Sequence, residues 1–319
     1  MYNKTKVGDK MKYRDFRNEI KISELGFGGW QLGNAHDWNN ASYNNGVLLV
    51  REAYNNGVNF FDTAPNYSNG NSEKIIGEAL KDVRDKVFIN TKYGHWSNQE
   101  TNYDSENIET SINQSLSRLK TNYLDSIILH NPPRYVLEGK TNHEEVFKRM
   151  ISFGKIRYWG VSIDTVEEVE LVLNNLDVDV IELFFNINFQ APKLLFNKIK
   201  EKGILLIIKI PLDSGWLTGK YDQSSKFKGI RSRWTKDDID KRSKIVREIK
   251  SIVKDDYLVK YALAFVLGFS AVTTVIPGTK DLTQLYSNLE SINYQLPIEI
   301  KEALEKLYEE KIKYMNLVW

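Results

Sequence analysis

The chain has no cysteine in its 319 residues. Disulfides, a thiolate nucleophile and cysteine-ligated zinc are therefore excluded. Histidine is scarce: His36, His95, His130 and His143 are the only four. Neither HExxH nor His-x-His spacing occurs, so no metal site is expected. No apolar run approaches the roughly 20 residues needed to span a bilayer, and the N-terminus lacks a signal-type apolar core. The cytoplasm is the expected location, with no membrane partner. An excess of one charge is also missing. The net charge of +2 lacks the concentrated basic surface of a nucleic-acid binder. The dinucleotide fingerprint G-x-G-x-x-G is absent from the first strand-to-helix turn, where Gly26-Phe27-Gly28-Gly29 is only a glycine-rich strand end.

What is present is alternation. Short apolar runs near 25–28, 58–61, 87–92, 124–129, 156–161, 179–184, 204–210 and 272–276 read as strands. Helical zones fill 42–56, 71–81, 105–120, 141–153, 165–175, 191–202, 237–254 with 257–268, and 281–291. Ser72 precedes Ile75, Ile76 and Leu80 on one face, and Gly57 and Gly203 sit where helices hand over to strands. Eight strands, each with a following helix, predict parallel pairing through right-handed crossovers. The expected fold is an α/β chain forming a (β/α)8 TIM barrel. A β-hairpin over Lys12–Ser23 precedes it, and a polar helix over 297–313 ends it. No linker or composition shift divides the chain, so residues 1–319 are expected to form one domain. A doubly wound open sheet is the structural alternative.

Four polar residues close three successive strands. Asp62 follows Val58-Asn59-Phe60-Phe61, with Tyr67 five residues later, past Pro65. Lys92 closes the run from Val87, and His130 the run from Leu124. A parallel barrel carries its chemistry at that end. Singly, each has a bland reading: a loop tyrosine, a solvated lysine, a helix cap, a structural histidine.

Longer segments resemble the aldo-keto reductase superfamily. Leu25-Gly-Phe-Gly-Gly-Trp-Gln-Leu-Gly33 is similar to the family's first strand. Asn59–Ser68, with Ser72-Glu73 and Gly77-Glu78-Ala79-Leu80, is similar to its signature segment. Pro211-Leu212, Ser214-Gly215, Leu217-Thr218-Gly219-Lys220 and Ile276-Pro277-Gly278, with Gln284 and Asn288, resemble its cofactor-binding half. The flavour is that of the bacterial and potassium-channel-β-like branch. The resemblance implies a barrel that binds a nicotinamide dinucleotide without a Rossmann domain, and reversible hydride transfer between nicotinamide and an aldehyde or ketone, sugar-derived carbonyls included. It implies Asp62, Tyr67, Lys92 and His130 as the catalytic set. Tyr67 would be the proton donor, its phenol lowered from about 10 by Lys92. Asp62 would keep Lys92 charged, and His130 would direct the carbonyl oxygen toward Tyr67.

The resemblance further implies that Gly29, Trp30, Gln31, Asp62, Ser162, Glu182, Lys209, Pro211, Leu212, Ser214, Gly215, Lys220, Gly278, Thr279, Lys280, Gln284 and Asn288 meet the cofactor. Trp30 and Trp96 would line the substrate site with Tyr67 and His130. For Trp30 the alternative is a barrel plug, and for Trp216 the choice lies between the dinucleotide bridge and its own loop. The nicotinamide cradle departs from the family pattern. Ser162-Ile163 stands where Ser-Asn is common, Glu182 where Gln is common, and Lys209 where an aromatic often stacks. Glu182 and Lys209, on adjacent strands, are expected to pair beside the nicotinamide, with Glu182 accepting from its carboxamide. Backbone amides after the last strand, the Thr279 hydroxyl and Lys280 suit a 2′-phosphate. The cofactor expected is thus NADP, with NAD the alternative. The rival function is a nucleotide-binding regulatory subunit with incidental reductase chemistry, and a metal-dependent barrel hydrolase is disfavoured by the histidine spacing.

Overall fold

The computed structural model describes residues 11–34 and 42–318, so His36 lies outside the described residues. Two short antiparallel strands come first, β1 (Tyr13–Phe16) and β2 (Ile20–Ser23). The main sheet holds eight parallel strands in chain order: β3 (Phe27–Gly28), β4 (Phe60–Asp62), β5 (Phe88–Tyr93), β6 (Leu124–His130), β7 (Ile156–Ile163), β8 (Val180–Phe184), β9 (Leu205–Lys209) and β10 (Thr274–Ile276). Parallel bridges Leu25↔Val275 and Gly28↔Gly278 join the first strand to the last and close the cylinder. The open-sheet alternative is thereby set aside. The closing seam is tight: a Cβ on Gly26 would lie 2.9 Å from Ile276 and Phe60 side chains.

The helices are α1 (Tyr43–Asn55), α2 (Asn71–Leu80), α3 (Ile108–Leu119), α4 (Arg134–Leu137), α5 (His143–Ser152), α6 (Val166–Asn175), α7 (Phe196–Glu201), α8 (Lys236–Val253), α9 (Val259–Leu267), α10 (Leu282–Ser291) and α11 (Ile298–Glu310). Local chemistry starts several of them. Ser42 caps α1 and Asp281 caps α10, while Thr165–Glu168 and Thr235–Asp238 form reciprocal capping boxes at α6 and α8. Gly57 and Gly203 take positive φ, 91° and 65°, as the helix-to-strand handovers require. The zone 191–202 is helical in two pieces. A 3-10 turn over Ala191–Leu195 carries Pro192 and precedes α7. The short α4 was not legible in the periodicity.

Two apolar layers hold the barrel. The inner one gathers Phe60, Phe88, Ile128, Val180, Leu205, Ile207 and Ile276. Phe16 and Ile22 of the hairpin join it and plug the end opposite the strand C-termini. Ser23 ties the hairpin on by donating its amide to Asn59 Oδ1 at 2.7 Å. The outer layer packs alternate strand residues, such as Phe61, Ile89, Ile127, Val161, Ile181 and Leu206, against the helices. With the lower barrel filled by hydrocarbon, polar side chains are left for the C-terminal mouth.

Candidate active site

The mouth is built on strand register. Gly28, Asp62, Asn90 and Ser126 stand opposite one another on β3 to β6, and His130, Ser162 and Glu182 do so on β6 to β8. Asn90 donates to Asp62 Oδ1 at 2.8 Å and accepts from Ser126 Oγ at 2.5 Å. Two residues up β5, Lys92 is fully buried. Its Nζ lies 2.5 Å from Asp62 Oδ1, 3.2 Å from the Thr63 carbonyl and 3.2 Å from Glu182 Oε2. One ammonium thus serves two carboxylates. The Glu182 contact is ionic, without hydrogen-bond geometry, since Oε2 has no hydrogen-bond partner.

Tyr67 begins a 3-10 segment after β4, and the turn behind it is contorted. Ser68, Asn69 and Gly70 all take positive φ, 51°, 54° and 81°. Such backbone is held only where its surroundings over-determine it. Here Ser68 Oγ donates to the Gly33 carbonyl at 2.7 Å. Gln99 Nε2 donates to the Asn66 carbonyl at 2.9 Å and to Asn69 Oδ1 at 2.7 Å. The turn aims the Tyr67 ring at Lys92, whose Nζ is 5.2 Å from its centroid. His130 meets the same ring edge-on, with centroids 5.9 Å apart at 84°. The structure therefore brings Asp62, Tyr67, Lys92 and His130 together.

Charge states follow from burial and neighbours. Burial would strip Lys92 of its proton, but Asp62 and Glu182 raise its pKa above the ordinary lysine range. Asp62 is pushed up by burial and by Glu182, against the pull of Lys92. Burial would also raise Glu182, but Lys92 and Lys209 outweigh it and hold that carboxyl low. Although part of Tyr67 remains accessible, the surrounding protein desolvates its phenol and raises its pKa. Lys92 opposes this, while Asp62 and Glu182 reinforce it. The net shift is upward, contrary to the lowering expected from Lys92 alone. His130 lies well below its usual range through burial, Lys92, Lys209 and His95, so its ring is neutral. Its Nδ1 is buried and has no hydrogen-bond partner.

The expected Glu182–Lys209 ion pair does not form. Glu182 stands opposite Ile207, and Lys209 stands opposite Phe184. Two residues along a strand amount to about 6.6 Å, one side-chain layer. Lys209 Nζ reaches Asp164 Oδ1 at 2.8 Å, Asn131 Oδ1 at 3.1 Å and Ser162 Oγ at 2.8 Å. Ser162 in turn donates to Glu182 Oε1 at 3.0 Å, so a hydroxyl links the two layers.

The other candidates divide. A Cβ on Gly278 would fall 2.0 Å from Gln31 Nε2, so the Gln31 amide lies across this glycine at the closing seam. Gln31 Oε1 is buried without a partner, a polar atom suited to a ligand group. Gly29 and Trp30 share the 3-10 turn with Gln31, and Ser72 Oγ donates to the Gly29 carbonyl at 2.8 Å. Pro211, Leu212, Ser214, Gly215 and Lys220 lie on the loop after β9, where Ile210, Asp213, Ser214, Gly215 and Gly219 all have positive φ. Thr279 faces inward: its hydroxyl donates to the Pro277 carbonyl at 3.3 Å and accepts from Asn288 Nδ2 at 3.2 Å. The Lys280 amide is taken by Gln284 Oε1 at 3.1 Å, and the Gln284 amide by Asp281 Oδ1 at 2.9 Å. Of the expected phosphate contacts, the partly exposed Lys280 side chain is the one not committed to local backbone. Trp96 packs on Tyr93 with centroids 6.2 Å apart and donates to the Asn102 carbonyl at 3.3 Å, contacts that tie it to its own loop. Trp216 is fully buried against Tyr221, Phe227 and Trp234, and so anchors its own loop.

Several neighbours escaped the sequence reading: Asn90, Ser126, Asn131, Asp164, His95 and Tyr103. His95 stacks edge-on to His130 with centroids 4.8 Å apart. Tyr103 OH meets His95 Nε2 at 3.1 Å and donates to the His130 carbonyl. Only the polar residue after a strand offered a signal, and most polar loop residues carry none.

A sequence model described as the aldo/keto reductase family matches residues 24–309. A probable voltage-gated potassium channel subunit beta of Oryza sativa is 28% identical, covering 93% of this chain and 95% of the relative. The NADH-specific methylglyoxal reductase of Escherichia coli is 27% identical, covering 90% and 97%. Among solved structures, an aldo-keto reductase of Bacillus halodurans in its holo form aligns with a TM-score of 0.77 at 24% identity, covering 93% of this chain and 96% of that one.

Proposed function

This chain belongs to the aldo/keto reductase family, and from that premise we propose that it is an NADPH-dependent reductase of aldehydes or ketones, sugar-derived carbonyls among them, with Tyr67 as its proton donor. The family makes it an NAD(P)H-dependent oxidoreductase that interconverts carbonyls and alcohols. The observation that carries the finer reading is the convergence of Tyr67, Lys92, Asp62 and His130 at the mouth.

Bound nicotinamide supplies the hydride. The protein's part is to receive the charge that develops on the carbonyl oxygen. Tyr67, kept protonated by its surroundings, gives its proton to that oxygen. Lys92 then faces the nascent phenolate, and Asp62 keeps Lys92 charged throughout. Neutral His130 offers a ring nitrogen to orient the oxygen without competing as an acid. Gln31, Gly278, Ser162, Glu182 and the loop after β9 would hold the dinucleotide, which fits the buried Gln31 Oε1 that has no hydrogen-bond partner. Lys280 favours a 2′-phosphate, hence NADPH. The name of the Escherichia coli relative makes NADH the comparison to run.

The test is turnover with each cofactor across a carbonyl panel, following loss of nicotinamide absorbance. Tyr67→Phe should cut reduction by at least ~10²-fold, the scale of a positioned general acid, while NADPH binding persists by fluorescence titration. Near-normal turnover in that variant removes Tyr67 from the role. The likeness to channel β subunits carries the second reading, a nucleotide-binding regulatory subunit. Tight NADPH binding without turnover on any carbonyl would favour it.

A further inference from the structure

Lys92 has more acceptors than a catalytic lysine paired with one aspartate needs. An ammonium carries three N–H donors. One goes to Asp62 Oδ1 at 2.5 Å and one to the Thr63 carbonyl at 3.2 Å. Glu182 Oε2, at 3.2 Å, faces the same nitrogen as the Tyr67 phenol does. We propose that Glu182 is a positioning residue that acts through Lys92 to bias the site toward proton donation, so that it reduces carbonyls readily and oxidises alcohols only at elevated pH. The proposal rests on the reductase reading above and adds a direction to it.

The chemistry balances in both senses. Reduction forms a C–H bond from the hydride and an O–H bond from the Tyr67 proton, leaving phenolate. Oxidation reverses both and needs Tyr67 as phenolate at the start. Whatever stabilises phenolate favours oxidation. At the alkaline pH where a phenol titrates, Asp62 and Glu182 are both ionised, and Glu182 adds a second negative charge to the one lysine. The groups facing Tyr67 are Asp62 from β4, Lys92 from β5, His130 from β6 and Glu182 from β8. Beyond them lie Lys209 and Asp164, reached through Ser162, and His95 against His130. Of the three charged groups that face Tyr67 directly, Glu182 is the one whose removal leaves the Asp62–Lys92 pair whole.

The experiment is the pH dependence of kcat for alcohol oxidation by the intact enzyme with saturating NADP. In Glu182→Gln the midpoint of the ascending limb should move down by about one pH unit, the scale for a nearby charge. Oxidation at a fixed pH below the midpoint then rises roughly tenfold. Glu182→Asp, which keeps the charge, should retain the wild-type midpoint. Glu182→Met replaces the Gln variant if that one fails to fold, with the same downward shift expected. An effect confined to the KM for NADP, with the kcat midpoint unmoved, would make Glu182 a cofactor contact only and overturn the proposal. So would an upward shift. If the wild-type protein turns over neither carbonyl nor alcohol with either nicotinamide, it is the reductase reading that fails.

Discussion

Lys92 answers two buried carboxylates with one charge, and this sets the consequence of losing it. Asp62 and Glu182 are both about 2% exposed, so Lys92→Met would strand two negative groups in a low-dielectric interior. Breaking a buried pair by removing one partner costs about 3–5 kcal/mol, and we expect urea unfolding to report a loss of that order. Adding Glu182→Gln removes one stranded charge. The double variant should therefore be more stable than Lys92→Met alone, a non-additivity that identifies the contact. Equal stability of single and double variants would mean that Glu182 does not depend on Lys92. His130 differs from Lys92 in that its burial is compatible with its neutral form, so it can sit beside two lysines without a counter-ion.

Strands β7 and β8 meet at a position that tolerates no side chain. A Cβ on Gly160 would stand 1.9 Å from the Val180 carbonyl oxygen, and that oxygen belongs to backbone that cannot rotate away. Gly160→Ala should destabilise by an amount at or above the top of the roughly 1–3 kcal/mol range for overpacking, measured by urea unfolding. Because the same strands carry Ser162 and Glu182, cofactor affinity should fall with it. At the other side of the mouth, α10 begins beside Lys280. Asp281 caps this helix and takes its early amide, which leaves the Lys280 ammonium as the proposed attraction for a 2′-phosphate. Lys280→Ala should weaken NADPH by about 1.5–3 kcal/mol, the worth of a hydrogen bond to a charged group, and leave NADH unchanged. Equal losses in titrations with the two cofactors would remove Lys280 as the discriminator.

Across the whole molecule, burial of acids and of histidines pulls stability in opposite directions with pH. Asp213 lies fully buried in the loop after β9, accepts from Asn188 Nδ2 at 2.7 Å and faces Arg242. Arg242 in turn donates to the Val318 carbonyl at 2.7 Å, which links this loop to the end of the described chain. Burial outweighs Arg242 and raises the Asp213 carboxyl to about 6. A raised folded-state pKa means that the native state holds its proton longer than the unfolded chain does. The associated stability is present below the unfolded pKa near 4 and is lost as pH rises through 6. His95, His130 and His143 are all lowered, burial being the first cause of each. Their contribution is present above about 6.5 and is lost as pH falls. Asp213→Asn isolates the acid. Between pH 4 and pH 7 the stability difference should move in the variant's favour by on the order of 1–3 kcal/mol, read from urea midpoints at the two values. A difference independent of pH would show that Asp213 is ionised throughout.

Much of this molecule is written along the chain. Strand and helix periods are local properties, and eight alternations predict parallel strands joined by crossovers, while the bridges Leu25↔Val275 and Gly28↔Gly278 decide for a closed barrel over an open sheet. Asp62, Tyr67, Lys92 and His130 were also legible, because they close or follow three successive apolar runs whose ends share one mouth in a barrel, and because the family resemblance gave the set its roles. What the chain does not encode locally is depth. Whether Glu182 meets Lys209 beside it or Lys92 across the interior depends on stagger between strands, and a two-residue offset in register changes the partner. The same holds for Thr279, turned inward onto Asn288, and for the Tyr67 phenol, whose state reflects burial and two carboxylates from different strands. Residue type and order determined which groups arrive at the mouth. Only the closed cylinder, through shear and desolvation, decided which of them touch and which of them hold a proton.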